Sequence, residues 1–132
     1  MHSERFSVET DAHTTTVDVT DQVRDAIPDG ASGVCTVYVQ HTTAGVVVQE
    51  PESRLREDIA TFVDDLVPDE GWQHDRIDDN ADSHLRATLL GSDVSIPVDD
   101  GEPMLGTWQA VLLVECDGPR TRNVVVAVTG AN

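Results

Sequence analysis

Three histidines lie in segments that predict different local structures, and imidazole serves in both acid–base and metal chemistry. His41 ends the apolar run at residues 34–41, His74 lies in the polar stretch "GWQHDR", and His84 lies near the start of a predicted helix. A strand end, a loop and a helix start can converge, and three imidazoles suit a zinc ion that keeps one open coordination position. The spacing matches no compact zinc signature, so core, surface and boundary roles stay open for the three side chains.

Carboxylates surround the same segments. Glu50 lies at the junction of a predicted strand and helix, near the positive end of the helix dipole. Aspartates crowd the loop before His84, and two or three of them could hold magnesium on a diphosphate; they are Asp75, Asp78, Asp79 and Asp82. In so acidic a chain, solvated surface charge is the alternative interpretation.

The positive charges are few and are all arginines. The chain has 8 basic residues, no lysine and 25 acidic residues, which gives a formal net charge of −17. This charge repels nucleic acid phosphates and anionic lipids, so we expect neither nucleic acid nor membrane as a partner. Arg86 follows His84 by two residues, and Arg120 and Arg122 share one face of a predicted strand start. Such guanidinium forks could bind a phosphate locally, or pair with neighbouring aspartates.

The composition also suggests a cellular setting. A hydrated aspartate surface suits a salt-rich cytoplasm, where counterions screen its self-repulsion, and we expect folding to depend on molar KCl. Cys35 and Cys116 stand inside apolar runs without CxxC spacing, which predicts buried, reduced thiols. The N-terminal segment resembles no signal peptide and no run of eighteen apolar residues occurs, so a cytoplasmic protein is expected.

Hydrophobic periodicity predicts one α+β domain over residues 1–132, with antiparallel or mixed sheets and two to three helices. Helices are expected at 20–27, 51–67 and 81–90, with Pro51 in the first turn of the second and Asn80 capping the third. The first two strands are expected to form a hairpin around residues 11–13, and further strands are expected at 34–41, 45–49, 94–98, 107–116 and 121–129. The runs "AVLLVEC" and "NVVVAV" are apolar on both faces, which predicts cover by helices and by a second sheet or subunit.

The stretch "LGTWQA" at residues 105–110 departs from a plain strand pattern. Gly106 permits a bulge, Thr107 and Gln109 project from one face, and Trp108 is expected to pack in the core on the other. A bulged edge strand is the structural interpretation of this segment.

Several of these motifs together resemble one family. "HTTAG" with "QE" following, "WQHD", "DNADSHLRATLLGSDVSIPV", "GTWQAVLLVECDG" and "PRTRNVVV" occur in order along nearly the whole chain. They are similar to motifs of the YjbQ-like family, described as secondary thiamine-phosphate synthase enzymes. The resemblance implies a trimer whose polar motifs gather in a cleft near the subunit interface. Gln49 stands where family members commonly have asparagine.

The resemblance further implies an activity and a set of roles. Hydroxymethylpyrimidine diphosphate would condense with thiazole phosphate, releasing diphosphate and forming thiamine phosphate. The implied catalytic residues are His41, Thr42, Glu50 and Gln109; the phosphate ligands are Arg86, Thr107, Arg120 and Arg122; and His41, His74 and His84 would hold a divalent metal, zinc or magnesium, or the phosphates directly.

Two other functions stay open at this stage. One is a zinc-dependent hydrolase of a small phosphorylated or carbonyl substrate, with a metal-bound water as nucleophile and Glu50 as base. The other is a non-catalytic trimeric module that binds a small anion or metal.

Overall fold

The computed structural model describes residues 1–130. The strands are β1 (His2–Glu9), β2 (Thr15–Asp18), β3 (Gly33–Val39), β4 (Ala44–Gln49), β5 (Asp93–Asp99), β6 (Glu102–Pro103), β7 (Ala110–Glu115) and β8 (Thr121–Thr129). The helices are α1 (Thr20–Ala26), α2 (Ser53–Leu66) and α3 (Ala81–Leu90), with a 3₁₀ helix at Gln73–Arg76. Within the described residues, no helix is both long and apolar enough to cross a lipid bilayer.

Two antiparallel sheets form the framework. The five-stranded sheet has the order β1-β8-β3-β5-β6, and the three-stranded sheet has the order β2-β7-β4. These sheets and three helices confirm the predicted α+β fold. The predicted hairpin of the first two strands was wrong, because β1 pairs with β8 whereas β2 pairs with β7 in the other sheet. The Thr10 N–H continues the β1–β8 pairing by donating to the Arg120 carbonyl at 2.9 Å, and the chain then crosses to the other sheet before β2 begins.

The core lies in two apolar layers on either side of the three-stranded sheet. Val46, Val111 and Leu113 face the buried valines of β3 and β8. Val114 and Cys116 pack with Val63 of α2, beside Ile59 of α2 and Leu90 of α3. All six residues of β7 are buried, which confirms the prediction that this strand is covered on both faces.

Both cysteines are free and buried, as predicted. Burial raises the pKa of the Cys35 thiol to about 11 and that of the Cys116 thiol to about 12. Neither thiol is therefore ionised near neutral pH, and both act as small apolar core groups.

Helix α2 is shorter than the predicted 51–67, since it runs from Ser53 to Leu66, and Pro51 precedes it and is not in its first turn. Glu52, after Pro51, is the capping residue, and its carboxylate accepts from the backbone N–H groups of Arg54 and Leu55. Val63 is buried whereas Phe62 is 63% exposed, so the apolar stripe is narrower than the sequence spacing suggested. Helix α3 starts after Asn80, whose side chain makes no capping bond and instead donates from Nδ2 to Asp117 at 3.0 Å.

Two strands are shorter than predicted. β3 ends at Val39, so His41 is a half-buried residue of the connection to β4. The expectation that His41 points into the core as a strand residue was wrong. β7 begins at Ala110, because Gly106 and Gln109 close a turn in which the Gly106 N–H donates to Gln109 Oε1 and the Gln109 N–H donates to the Gly106 carbonyl. Trp108 is 72% exposed on this turn, so its predicted core position was wrong.

Gly45 sets the distance between β4 and α3. A Cβ atom there would lie 2.7 Å from Leu90 Cβ and 2.8 Å from the Gly91 carbonyl oxygen. Gly45→Ala is therefore expected to destabilise the fold by about 1–3 kcal/mol through overpacking. Urea unfolding at fixed KCl measures the loss. Gly106→Ala is the control, since its Cβ would meet only the flexible Gln109 side chain; an equal loss in both variants would contradict the packing argument.

Candidate functional site

A cleft opens where the chain passes from β3 to β4, beside the first turns of α3. It has two lobes that share Gln40, His41, Thr42 and His84. The segment at residues 40–43 belongs to neither sheet, and backbone hydrogen bonds of Gln40 to Asn123 and of Cys116 to Thr43 hold its two ends. The two imidazoles thus lie at the junction of the lobes.

The lobes differ in chemistry. The first, called the polar lobe, has a volume of about 650 Å³. Besides the shared residues, it is lined by Thr43, Asp78, Asn80, Asp117, Pro119, Arg120, Thr121 and Arg122. The second, called the uncharged lobe, has a volume of about 640 Å³ and is lined, besides the shared residues, by Tyr38, Val39, Ala44, Ala87, Thr88 and Ser92. Both volumes are in the range of small-molecule sites.

His41 is held by the backbone of β8. Its Nε2 accepts a hydrogen bond from the Asn123 N–H at 2.8 Å, which leaves the ring proton on Nδ1. Within residues 1–130, Nδ1 has no protein partner, so it can donate to a ligand in the cleft. Burial, and then the positive charge of Arg122, lower the pKa of His41, while Glu115 partly offsets them.

This lowered pKa has a consequence for pH dependence. Because the folded protein favours neutral His41, its contribution to stability is complete above the unfolded-state pKa near 6.5 and is lost as the pH falls through the lower folded value. Protonation also places a second proton against the Asn123 N–H. We expect the His41 ring to titrate below about 6.5 in an NMR pH series; titration above that value would contradict the assigned hydrogen bond.

His74 and His84 contact each other. Their ring centroids are 4.7 Å apart, with the planes at 83° in an edge-to-face arrangement. His84 lines both lobes, and His74 lies behind it, with Nε2 3.8 Å from Asp78 Oδ2. His74 therefore supports the position of the His84 ring.

Arg120 is the exposed cation of the polar lobe, with 52% of its side chain accessible. Its Nε donates to the Asp117 carbonyl at 2.8 Å and its Nη2 to Asp117 Oδ2 at 2.9 Å. Although burial alone would raise it, hydrogen bonds from Asn80 and Arg120 lower the pKa of Asp117, which stays ionised. Nη1 of Arg120 has no acceptor among the described residues and is available to an anion.

The other two predicted phosphate-binding arginines are buried and paired. Arg122 lines the polar lobe but is 2% exposed, and it donates to Glu115 and Thr43. Arg86 lies under α2 with 1% exposed, where it donates to backbone carbonyls, Asp69 and Asp82. Arg86 does not line the cleft.

Glu50, Thr107 and Gln109 lie at the opposite end of the three-stranded sheet. In the register of β4 with β7, Gln49 is opposite Ala110 at that end, and Ala44 is opposite Glu115 at the cleft end. Five residues of strand separate the two ends by about 17 Å. Gln49 Oε1 accepts from the Glu50 N–H at 3.0 Å. Within a single chain, Glu50, Thr107 and Gln109 therefore lie apart from the cleft. The predicted site residues that the cleft does bring together are His41, Thr42, His84, Arg120 and Arg122.

The residues of one chain do not fit the expected metal site. A metal needs a nitrogen lone pair from each imidazole, and the Nε2 lone pair of His41 accepts the Asn123 N–H. Among residues 1–130, no three His, Cys, Asp or Glu side chains form a group that could hold a metal ion. Zinc or magnesium at this site stays a prediction.

Sequence reasoning missed Asp117 and Asn80 as cleft residues and Glu115 beneath them. Asn80 was interpreted as a helix cap, Asp117 precedes a glycine in a pair typical of a turn, and nothing in their local pattern indicates more. Glu115 carries a signal, since it is a lone charge inside the apolar run "AVLLVEC".

The fold and the cleft define a class of small α+β proteins in which two antiparallel sheets pack face to face beneath a helix pair. The chain belongs to the YjbQ-like UPF0047 family: the family model described as UPF0047 protein YjbQ-like matches residues 4–131. This confirms the resemblance seen in the motifs.

Relatives agree along almost the whole chain. A UPF0047 protein of Archaeoglobus fulgidus is 50% identical over 111 residues, covering 83% of this chain and 87% of that protein. The crystal structure of a hypothetical protein from Aeropyrum pernix matches with a TM-score of 0.94 at 42% identity, over 99% of this chain and 100% of that chain. A YbjQ-like protein of unknown function from Sulfolobus solfataricus matches with a TM-score of 0.90 at 39% identity, over 98% and 97% of the two chains.

Proposed function

We propose that the cleft binds small phosphorylated substrates and condenses hydroxymethylpyrimidine diphosphate with thiazole phosphate. The observation that carries this proposal is the two-lobed shape with His41 and His84 at the junction. A condensation needs room for two reactants with their reacting atoms adjacent. A polar lobe with an available guanidinium suits phosphate groups, and an uncharged lobe lined by Tyr38 suits a heterocycle.

The proposed step follows from the groups at the junction. The thiazole nitrogen attacks the pyrimidine methylene carbon, a C–N bond forms, and the C–O bond to diphosphate breaks with its electron pair leaving on oxygen. Negative charge on the leaving group is stabilised by the Arg120 guanidinium and by the Nδ1–H of neutral His41. The Thr42 hydroxyl, exposed at the junction, is a further donor.

A coupled assay tests this function. In molar KCl, the protein is incubated with the two precursors, and thiamine phosphate and diphosphate are quantified; equal amounts of both are expected. Arg120→Ala should weaken binding of the phosphorylated substrates by about tenfold or more, since a charge-assisted hydrogen bond contributes about 1.5–3 kcal/mol. Arg24→Ala, which removes an exposed arginine on α1, is the control. Absence of thiamine phosphate with wild type overturns the synthase assignment.

The same samples separate the alternatives. Release of inorganic phosphate from a single substrate, together with stoichiometric zinc in freshly purified protein, would support the hydrolase. Binding of phosphate without turnover of any substrate would support the non-catalytic module. The likeness to the relatives shows the family and the fold, and it favours none of these three functions.

We also propose that the chain assembles as a homotrimer through the outer face of the five-stranded sheet. β8 is apolar on both faces, yet Val125 and Ala127 are only half-buried within the chain. Val34 of β3 is exposed on the same sheet, and Tyr38, directly opposite Val125, lies where this face meets the uncharged lobe. An apolar sheet face of this kind is typical of a protein interface.

Val125→Arg should convert the assembly to monomers, because burying an unpaired guanidinium in the interface is costly, whereas in a monomer the long side chain can reach water. Light scattering after size-exclusion chromatography in molar KCl measures the change. Leu89→Arg places the same charge at an exposed position on α3 and should leave the mass unchanged. A trimer that persists in Val125→Arg would exclude this face.

A further inference from the structure

Glu115 is a carboxylate with 0% exposure at the end of β7, directly beneath the polar lobe. Its two oxygens accept four hydrogen bonds. Oε1 accepts from the Thr10 hydroxyl at 2.7 Å and from Arg122 Nε at 2.8 Å. Oε2 accepts from the Asp117 N–H at 3.0 Å and from Arg122 Nη2. These donors use the acceptor capacity of an ionised carboxylate almost completely.

One branch of this network leads to His41. Arg122 Nη2 donates to the Thr43 hydroxyl at 2.8 Å and to the Thr43 carbonyl at 3.2 Å, which ties down the segment that carries His41. Asn123, the residue after Arg122, donates its N–H to His41 Nε2. The Gln40 N–H donates to the Asn123 carbonyl at 3.1 Å. Arg122 thus holds one end of the imidazole-bearing segment, and its neighbour Asn123 holds the other.

The other branch leads to Arg120. The Thr10 hydroxyl that donates to Glu115 accepts the Arg120 N–H at 2.9 Å. Asp117, whose N–H binds Glu115, holds the Arg120 guanidinium through its carbonyl and carboxylate oxygens. Glu115 therefore reaches Arg120 through Thr10 or Asp117. It reaches His41 through Arg122 and then Asn123, the next residue of the chain.

We propose that Glu115 is a positioning residue of the cleft, which acts through Arg122, Thr10 and Asp117 to fix the His41 imidazole and the Arg120 guanidinium relative to each other. This inference rests on the proposed function for its kinetic consequence only. Glu115 touches no substrate, and its role is to hold two ligand-binding groups from different segments in one geometry.

Stability alone does not account for this arrangement. The free energy needed to remove two charges from water usually offsets the attraction between them in a buried ion pair. Apolar side chains of similar volume often stabilise a fold equally well or better. A carboxylate that joins three segments offers directional bonds that apolar contacts lack. Burial alone would raise the pKa of Glu115, but hydrogen bonds from Arg122, Asp117 and Thr10 lower it, so the pair is charged.

Two variants test the proposal in protein with ¹⁵N-labelled histidine. Glu115→Gln keeps the shape and removes the charge. The double variant Glu115→Leu with Arg122→Met replaces the pair by apolar groups and is expected to retain or raise the melting temperature. The readouts are the ring ¹⁵N shifts of His41, which report its tautomer, and the affinity for inorganic phosphate.

In wild type, His41 is expected as the Nδ1–H tautomer. Both variants should show mixed tautomers and at least tenfold weaker phosphate binding, and kcat of the proposed reaction should fall by about 10²-fold because the reacting groups are misplaced. A double variant that folds with wild-type His41 shifts and phosphate affinity overturns the positioning role.

Asp82→Asn is the matched control, since Asp82 is buried and pairs with Arg86 away from these segments. It should lower the melting temperature and leave the His41 shifts unchanged; equal changes in His41 would show a general loosening and overturn the proposal. The tautomer measurement requires no turnover, so it distinguishes failure of this inference from failure of the synthase assignment.

Discussion

Replacing His41 with alanine is expected to lower kcat of the condensation by about 10²- to 10³-fold, the usual cost of removing one hydrogen-bond donor that stabilises developing negative charge. The variant loses the Nδ1–H that faces the cleft and leaves the Asn123 N–H without its acceptor. The measurement is thiamine phosphate formation under saturating substrates in molar KCl, with circular dichroism and light scattering to verify fold and assembly.

His2→Ala is the matched control for this loss, because His2 is an exposed histidine on β1. It should retain full activity. A His41→Ala protein that is correctly assembled and equally active would remove His41 from the reaction, and the cleft would then serve binding alone.

Replacing Arg86 with methionine is expected to destabilise the fold by about 3–5 kcal/mol, because it leaves the buried Asp82 carboxylate without its partner charge. The Arg86 guanidinium donates to the carbonyls of Val63, Asp64 and Val67 at 2.7–2.8 Å and to the Asp82 carboxylate. Those carbonyls belong to the last turn and C-cap of α2, and they have no N–H donor within their own helix. Arg86 thus joins the end of α2 to α3.

Urea unfolding at constant KCl measures this loss. Arg54→Met is the control, since the Arg54 side chain is 88% exposed and its surface pair with Glu52 is worth about 0–1 kcal/mol. Equal losses of unfolding free energy in the two variants would contradict the role of Arg86 in joining α2 to α3. A stable Arg86→Met protein with weakened phosphate binding would instead support the phosphate role that the family resemblance implied.

Local periodicity was enough to predict much of the fold. The apolar stripe of α2 and the continuous apolar run of β7 each predicted an element, because burial imposes a repeat on neighbouring residues. The pairing of β1 was not predictable in this way, because its partner β8 lies at the other end of the chain and no local pattern encodes that choice. Trp108 was misplaced because the turn at Gly106–Gln109 is set by hydrogen bonds of the Gln109 side chain and backbone. The hydrophobic pattern of these residues is also compatible with a strand.

The candidate site was predicted in part from residue type. His41 and His84 were chosen as polar groups that interrupt apolar patterns, and they do lie in one cleft. Arg86 had the same sequence signal as Arg120, and only the structure shows that Arg86 is enclosed by helix carbonyls. The separation of Glu50 and Gln109 from His41 arises from strand register, which motif order along the chain does not contain.

The position of β8 between β1 and β3 has a consequence for how the protein is made. β8 is synthesised after both strands with which it pairs, and it supplies the partner for the full length of β1 and most of β3. Until it emerges, both strands have unpaired edges that can pair with other chains. The five-stranded sheet is therefore expected to close only after β8 has emerged, and to form slowly, because residues 2 and 128 must meet first.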